Sequence, residues 1–140
     1  MKTSTILRPA DSCALVIFGG NGDLTWRKFV PSLFDLYIDK SLPKQMAIIA
    51  VDRADIDDAA LRKRLRAGVK EFARAGKPQD WRNFEAHLSY CRGDFENSKT
   101  YVELAPRLSR LDKDWDAKAT RIFHLAVPPS LFGEIPKMLG

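Results

Sequence analysis

A buried strand that runs straight into a glycine cluster is the feature of this chain that most limits its fold. Residues 14–18 are continuously apolar and rich in β-formers, as in a strand that is buried on both faces. The strand ends at Gly-Gly-Asn-Gly, residues 19–22, and apolar residues then recur at helical spacing over residues 29–37. Pro31 lies inside this predicted helix, so we expect a break or kink near Val30. The first forty residues therefore predict a strand, a tight turn and a helix.

The rest of the chain repeats this alternation. Strand-like apolar runs recur at residues 46–51, 88–91 and 122–127. Asp57 begins a second helix that ends at Gly-Lys-Pro, residues 76–78, and a third helix covers residues 98–111. A polar loop follows over residues 111–118, and a last helix begins near Ser130. The order βαβαβαβα predicts an α/β fold with a doubly wound, Rossmann-like parallel sheet, in one domain over residues 1–140.

The charge balance bounds the kind of partner. The net charge of +5 and the isoelectric point near 9.4 fit an anionic ligand, a nucleic acid, or a basic surface with no special partner. Basic residues line the outer side of the second helix without interleaved aromatics, so we interpret them as a solvated face and expect no nucleic-acid partner. They are Arg62, Lys63, Arg64, Arg66 and Lys70. No apolar run approaches the roughly 20 residues of a membrane helix, and the first ten residues do not resemble a signal peptide. We therefore expect a cytoplasmic protein with no membrane partner.

The cysteines and histidines predict neither a metal site nor a disulfide. Cys13 and Cys91 lie in apolar surroundings without metal-ligand spacing, as small buried hydrophobes of a reducing compartment do. His124 lies within the fourth strand, where it is expected to pack in the core, and His87 lies at a polar helix end.

The glycine turn has the chemistry of a phosphate site. Backbone N–H groups at a helix start, together with the positive end of the helix dipole, can hold a pyrophosphate. Gly19, Gly20 and Gly22 supply the close approach that such a turn requires, although Thr25 stands where the pattern G-x-G-x-x-G has its third glycine. Nucleotide binding is thus favoured over an ordinary glycine turn.

The exact string is more specific than the generic pattern. Residues 18–28, Phe-Gly-Gly-Asn-Gly-Asp-Leu-Thr-Trp-Arg-Lys, resemble the G-x-x-G-D-L-A-K-R-K segment of glucose-6-phosphate dehydrogenases. The resemblance continues through residues 31–37, 48–53, 90–95 and 121–132, and so covers nearly all of residues 14–140.

The resemblance implies a role for each matching residue. In this family the glycine turn binds the coenzyme diphosphate, and the matching residues are Gly19, Gly20, Asn21, Gly22, Asp23 and Leu24. The motif's last lysine, here Lys28, reaches toward the sugar phosphate of the substrate, and the arginine after the second strand, here Arg53, grips the adenosine 2′-phosphate. Further coenzyme contacts match Asp94, Phe95, Val127, Pro128, Pro129 and Phe132.

Three residues depart from the family pattern. Thr25 replaces an alanine, and Trp26 replaces a lysine and is expected to serve in packing or in an interface. Asp52 stands where the family has a small residue, and an acidic group there can bond a ribose 2′-hydroxyl and repel a 2′-phosphate. We therefore expect NADP to be the coenzyme, with NAD tolerated.

Family members are several times longer than this chain. Their catalytic histidine, its carboxylate partner and the domain that forms their oligomers lie beyond the matched region, so no catalytic residue is assigned here. The resemblance implies a truncated coenzyme-binding part of an enzyme that oxidises glucose 6-phosphate to 6-phosphogluconolactone with NADP or NAD, the entry step of the pentose phosphate pathway. The chain alone is then inactive. The alternative is a non-catalytic nucleotide-binding module derived from such a dehydrogenase.

Overall fold

A parallel four-stranded sheet forms the centre of the computed structural model, which describes residues 12–74 and 76–139. The strands are β1 (Cys13–Phe18), β2 (Met46–Asp52), β3 (Leu88–Arg92) and β4 (Thr120–Leu125). They lie side by side in the order β3-β2-β1-β4, so the winding direction reverses between β1 and β4. In open α/β sheets, ligands bind at the carboxyl ends of the strands beside such a reversal.

Helices cover both faces of the sheet, which confirms the doubly wound fold. They are α1 (Val30–Ile38), α2 (Asp58–Phe72), α3 (Pro78–Glu85), α4 (Ser98–Trp115) and α5 (Glu134–Leu139). A π-helical segment (Thr25–Phe29) precedes α1, and a 3-10 turn (Pro129–Leu131) precedes α5. The first three helices pack on one face and the last two on the other.

Alternate side chains of β1 build two separate cores. Ile17 packs with Phe34 of α1 and Phe84 of α3 on one face, whereas Phe18 packs with Tyr101 of α4 on the other. Every residue of β1 is buried, as the continuous apolar run predicts.

The predicted break near Val30 is a change of helical register. Pro31 has no N–H to donate to the carbonyl of Arg27, so a regular α-helix would lose a bond here. The chain forms a π-helical turn instead, in which the N–H of Val30 reaches back to the carbonyl of Thr25. The regular α-helix then begins at Val30 with proline in its first turn, where a missing N–H costs nothing.

Two predicted element boundaries are wrong. The second helix ends at Phe72 and not at Gly-Lys-Pro, and Pro78 occupies the first turn of a further helix that was not predicted, α3, which buries Trp81 and Phe84. The predicted polar loop over residues 111–118 is mostly helix, since α4 continues to Trp115. Asp112 stabilises this last turn by accepting the N–H of Ala119 and pairing with Arg121 of β4.

Within the described part of the chain, side chains cap the outer edge of β3 but not that of β4. Arg62 donates to the carbonyl of Leu88, Asp58 accepts the N–H of Tyr90, and Arg107 donates to the Tyr90 carbonyl. The expected solvated basic face of α2 therefore holds for Lys63, Arg66 and Lys70, whereas Arg62 has a structural role. At β4, no side chain bonds the outward backbone groups among the described residues.

The two cysteines are free and buried, as predicted, and burial raises the pKa of the Cys13 thiol to about 11. Within residues 12–74 and 76–139, no helix is long and apolar enough to cross a membrane, and no cluster of three or more acidic, histidine or cysteine side chains could hold a metal ion.

Candidate functional site

The glycine turn lies at the carboxyl end of β1, between the ends of β2 and β4. Gly19 has a φ of +89°, and a β-carbon there would lie 2.1 Å from the carbonyl oxygen of Ala126. A β-carbon on Gly20 would lie 2.3 Å from that of Ala50 in β2. Glycine is required at both positions because the turn passes against backbone or side chain on each side.

Hydrogen bonds fix the turn from several directions. The N–H groups of Gly19 and Gly20 both donate to the carbonyl of Val51, at 2.9 and 3.2 Å. The Gly19 carbonyl accepts the N–H of Gly22 at 2.9 Å and the hydroxyl of the fully buried Thr25 at 2.8 Å. The turn is therefore a preformed, rigid feature of the fold.

Two N–H groups of the turn remain available to a ligand. Asp23 and Leu24 begin the helical segment, and neither N–H has an acceptor among the described residues. Both residues are exposed. The carboxylate of Asp23 is engaged by its own helix, since Arg27 and the indole of Trp26 each donate to it at 3.1 Å. Free N–H groups at a helix start, with the local carboxylate paired, form a site that suits an anion.

At the end of β2, the side chain that faces the turn is that of Asp52. Its carboxylate accepts the N–H of Asn21 at 3.0 Å and that of Arg53 at 2.9 Å. The side chain of Arg53 is exposed and forms no hydrogen bond or ion pair within the described part of the chain. The carboxylate is thus held in place, whereas the guanidinium is free to meet a ligand.

The segment after β3 joins the same end of the sheet. The N–H of Gly93 donates to the carbonyl of Asp52 at 2.8 Å, and the exposed Asp94 follows it. Phe95 is buried edge-on against Phe18, with ring centroids 6.1 Å apart, so only its backbone is available to a ligand. Burial and the charge of Asp94 raise the pKa of the neighbouring Tyr101.

The segment after β4 lies on the other side of the turn. The N–H of Ala126 donates to the carbonyl of Phe18, which brings Val127 beside Gly19. Pro128 and Pro129 are exposed, and the 3-10 turn presents Phe132 with about half of its surface open. The structure therefore brings the predicted residues that follow β2, β3 and β4 to the end of the sheet at which the glycine turn lies.

Lys28 and Trp26 lie on the π-helical segment that leaves the turn. Lys28 is exposed and forms no ion pair within the described residues. Trp26 packs edge-on against Phe72 of α2, and the guanidinium of Arg64 stands 5.3 Å from its ring centroid. Trp26 thus has a packing role.

Both histidines are engaged in packing or backbone contacts. The ring of His124 stacks on Phe29 with parallel planes and centroids 3.8 Å apart, and burial lowers its pKa. The Nδ1 of His87 lies 2.7 Å from the carbonyl oxygen of Met46, at the opposite end of β2 from the glycine turn.

This geometry occurs in a chain whose residues 16–140 match the family model described as "Glucose-6-phosphate dehydrogenase, NAD binding domain". The chain belongs to this family. Its glycine turn is therefore that of a domain family named for binding a nicotinamide coenzyme.

Curated relatives and solved structures agree with this assignment. Glucose-6-phosphate 1-dehydrogenases of Aggregatibacter actinomycetemcomitans and Chlamydia pneumoniae are 34% and 33% identical to it over 94% and 95% of this chain. The chain spans 26% of the length of each. A solved glucose-6-phosphate dehydrogenase in complex with glucose 6-phosphate superposes with a TM-score of 0.83 at 28% identity, over 95% of this chain and 28% of that one. The enzyme from Mycobacterium avium gives a TM-score of 0.78 at 30% identity, over 94% and 26%.

The sequence did not indicate what Thr25 does in this member of the glucose-6-phosphate dehydrogenase family. Its hydroxyl donates to the carbonyl of Gly19 in the turn. The only sequence feature that pointed to this role was a polar residue where the family pattern has alanine. The sequence also left open whether Asp52 or Arg53 points toward the turn, because adjacent residues at a strand end point to opposite faces. In the structure it is Asp52.

Proposed function

We propose that this chain is the coenzyme-binding part of a glucose-6-phosphate 1-dehydrogenase, which oxidises glucose 6-phosphate to 6-phosphogluconolactone at the entry to the pentose phosphate pathway. The observation that carries the proposal is the pair of N–H groups at Asp23 and Leu24, which have no acceptor among the described residues and lie beside a turn with no room for a side chain at Gly19 or Gly20. A coenzyme diphosphate fits this cradle because both its charge and its need for close backbone approach are met.

The remaining candidate residues surround that cradle. Asn21 and Gly22 border the diphosphate, Asp94 and the backbone of Phe95 contact the coenzyme from the β3 side, and the exposed Lys28 reaches toward the phosphate of the sugar. Val127, Pro128, Pro129 and Phe132 line the nicotinamide side. When bound, the coenzyme supplies the hydride acceptor, and these residues orient it and exclude water from one of its faces.

We infer that NADP is the preferred coenzyme and that NAD is tolerated. The guanidinium of Arg53 is exposed and has no partner within residues 12–74 and 76–139, and it suits a 2′-phosphate, which it can bind with two parallel hydrogen bonds. The carboxylate of Asp52 lies one residue away and favours a free 2′-hydroxyl. Because both charges stand at the same strand end, discrimination between the two coenzymes is modest.

We also infer that the 140-residue chain by itself binds coenzyme without oxidising the sugar. Neither His87 nor His124 is placed as a general base, because one bonds a backbone carbonyl and the other stacks on Phe29. Catalysis requires the two reactants and a general base to be positioned together, and neither histidine of the described residues supplies that base. The free, buried cysteines suit the reducing cytoplasm as its location.

Calorimetric titration with NADP and NAD tests the proposal. Gly22→Ala would place a β-carbon 3.1 Å from the carbonyl of Gly19 and beside the diphosphate, and is expected to weaken both coenzymes about ten-fold. Gly133→Ala is the matched control, because a β-carbon there meets nothing within 4 Å. Failure of the wild-type chain to bind either coenzyme at millimolar concentration would contradict the proposal. Oxidation of glucose 6-phosphate by the chain alone would contradict its expected inactivity.

A further inference from the structure

We propose that Asp52 is a positioning residue that ties three loops of the coenzyme site, those after β1, β2 and β3, into one unit. The inference takes its ligand, a nicotinamide coenzyme, from the proposed function. The hydrogen bonds of Asp52 on which it is based are present in the chain without any ligand. The sequence suggests only that Asp52 discriminates between a ribose 2′-hydroxyl and a 2′-phosphate, and the structure assigns it a second task.

The two carboxylate oxygens of Asp52 are used separately. One accepts the N–H of Asn21 in the glycine turn, and the other accepts the N–H of Arg53 at the start of the loop between β2 and α2. The backbone carbonyl of the same residue accepts the N–H of Gly93, which begins the loop after β3. Asp52 is thus bonded to all three loops that reach the site from β1, β2 and β3.

The bond to Asn21 is the one that the rest of the fold does not duplicate. Gly19 and Gly20 are anchored by Val51, and Gly22 is anchored within the turn, whereas the N–H of Asn21 has the carboxylate as its partner. Hydrogen bonds to a charged acceptor are about twice as strong as neutral ones. Without the carboxylate, the outer part of the turn would have to be ordered when the coenzyme binds, at a cost in affinity.

The carboxylate keeps acceptor capacity while it performs this task. Each carboxylate oxygen has two lone pairs and uses one of them here, so Asp52 can also accept a ribose hydroxyl. The two roles predict different results for a ligand with no ribose hydroxyls. A residue that only binds hydroxyls is irrelevant to such a ligand, whereas a positioning residue still affects its binding.

The experiment compares Asp52→Ala, Asp52→Asn and the control Asp55→Ala in the 140-residue chain. Asp55 is a neighbouring carboxylate that pairs with Arg92 and is 85% exposed, so it controls for the loss of a nearby negative charge. The probe is 2′,3′-dideoxy-ADP, which retains the diphosphate and lacks both ribose hydroxyls, and NAD and NADP are titrated beside it.

We expect Asp52→Ala to weaken the binding of dideoxy-ADP about ten-fold. Asp52→Asn should weaken this binding by less, because the amide oxygen can still accept an N–H. Asp55→Ala should leave the binding unchanged. Unchanged binding of dideoxy-ADP to Asp52→Ala, with NAD alone weakened, would overturn the positioning role.

Amide hydrogen exchange of the coenzyme-free chain gives a readout that does not depend on the proposed function. Exchange at Asn21 and Arg53 is expected to accelerate about ten-fold in Asp52→Ala and to stay at the wild-type rate in Asp55→Ala. If no nucleotide binds the wild type, the proposed function fails and the exchange rates alone decide the positioning role. Equal exchange in wild type and Asp52→Ala would overturn it.

Discussion

The hydroxyl of Thr25 lies 2.8 Å from the carbonyl oxygen of Gly19, to which it donates a buried hydrogen bond. Gly19 is the residue with a φ of +89° at which the chain turns out of β1, and Thr25 begins the π-helical segment after the turn. The helix thereby holds the turn from which it starts, and the orientation of the outer N–H groups depends on this contact.

Thr25→Val is therefore expected to destabilise the chain by about 1–2 kcal/mol, because the valine has the same shape but leaves a buried carbonyl with one partner fewer. Thr25→Ser keeps the hydroxyl and is expected to retain the bond at a smaller cost. Urea unfolding of the three proteins measures the difference. Equal stability of wild type and Thr25→Val would show that the bond contributes nothing.

Gly68→Ala sets helix propensity against packing. Alanine in the interior of α2 would favour the helix by about 1 kcal/mol. However, its β-carbon would lie 1.9 Å from the carbonyl oxygen of Trp26, which belongs to backbone that cannot turn aside. The clash should prevail, with a net loss of about 1–3 kcal/mol in the free energy of unfolding. A rise in the melting temperature would mean that α2 packs farther from the π-helical segment.

Arg53→Ala separates the two coenzymes. Loss of a charge-assisted contact costs about 1.5–3 kcal/mol, so NADP affinity should fall roughly ten- to a hundred-fold. NAD carries no 2′-phosphate and should bind almost as before. Calorimetry with both coenzymes measures the two changes, and an equal loss for NAD and NADP would show that Arg53 does not bind the 2′-phosphate.

His124 is expected to make the stability of the fold depend on pH. Burial beside Phe29 lowers its pKa below the ordinary value of 6.5, so the unfolded chain binds more protons than the folded chain between the two values. Stability is then fully present above about pH 6.5 and is lost as the pH falls through the window below it. Denaturant unfolding between pH 7.5 and 5.5 should show wild type losing stability relative to His124→Leu. Parallel pH profiles would contradict this assignment.

The outer edge of β4, whose backbone groups no side chain bonds among the described residues, is expected to make the 140-residue chain self-associate. Beside it runs a largely apolar groove of about 580 Å³, formed by α4, α5 and β4, to which Val102 contributes a side chain that is 69% exposed. Val102→Lys adds charge at this groove without removing a buried contact, and should shift the chain toward the monomer in light scattering. Leu36→Lys, at an exposed position on α1, is the control. A wild-type chain that stays monomeric at high concentration would refute the expectation.

Elements whose pattern is local were predicted from the sequence. The buried run of β1 ends at the glycine turn as expected, Asp57 caps α2 through a bond to the N–H of Ala60, and Tyr101, Leu104 and Leu108 form the buried side of α4. Periodicity and cap chemistry need only neighbours within a few positions, so one sequence is enough to show them.

The features that were missed depend on residues far apart in the chain. The last turn of α4 is stabilised by Arg121 of β4, and α3 forms where Trp81 and Phe84 reach a core shared with Phe34. Local polarity predicted a loop at the first position, and at the second the sequence predicted only the end of α2 and no further helix. Tertiary contacts decided both, because in proteins most helical stability comes from packing against the rest of the fold and less from propensity.

The sequence by itself determined the alternating fold, the position of the glycine turn and the residues that border it. Only the tertiary structure decided which of two adjacent charges, Asp52 and Arg53, faces that turn, since the contact joins Asp52 to Asn21 across 31 positions of the chain. The physical reason is the pleat of the strand, which sends neighbouring side chains to opposite faces, while the strand's place beside β1 determines which face meets the turn.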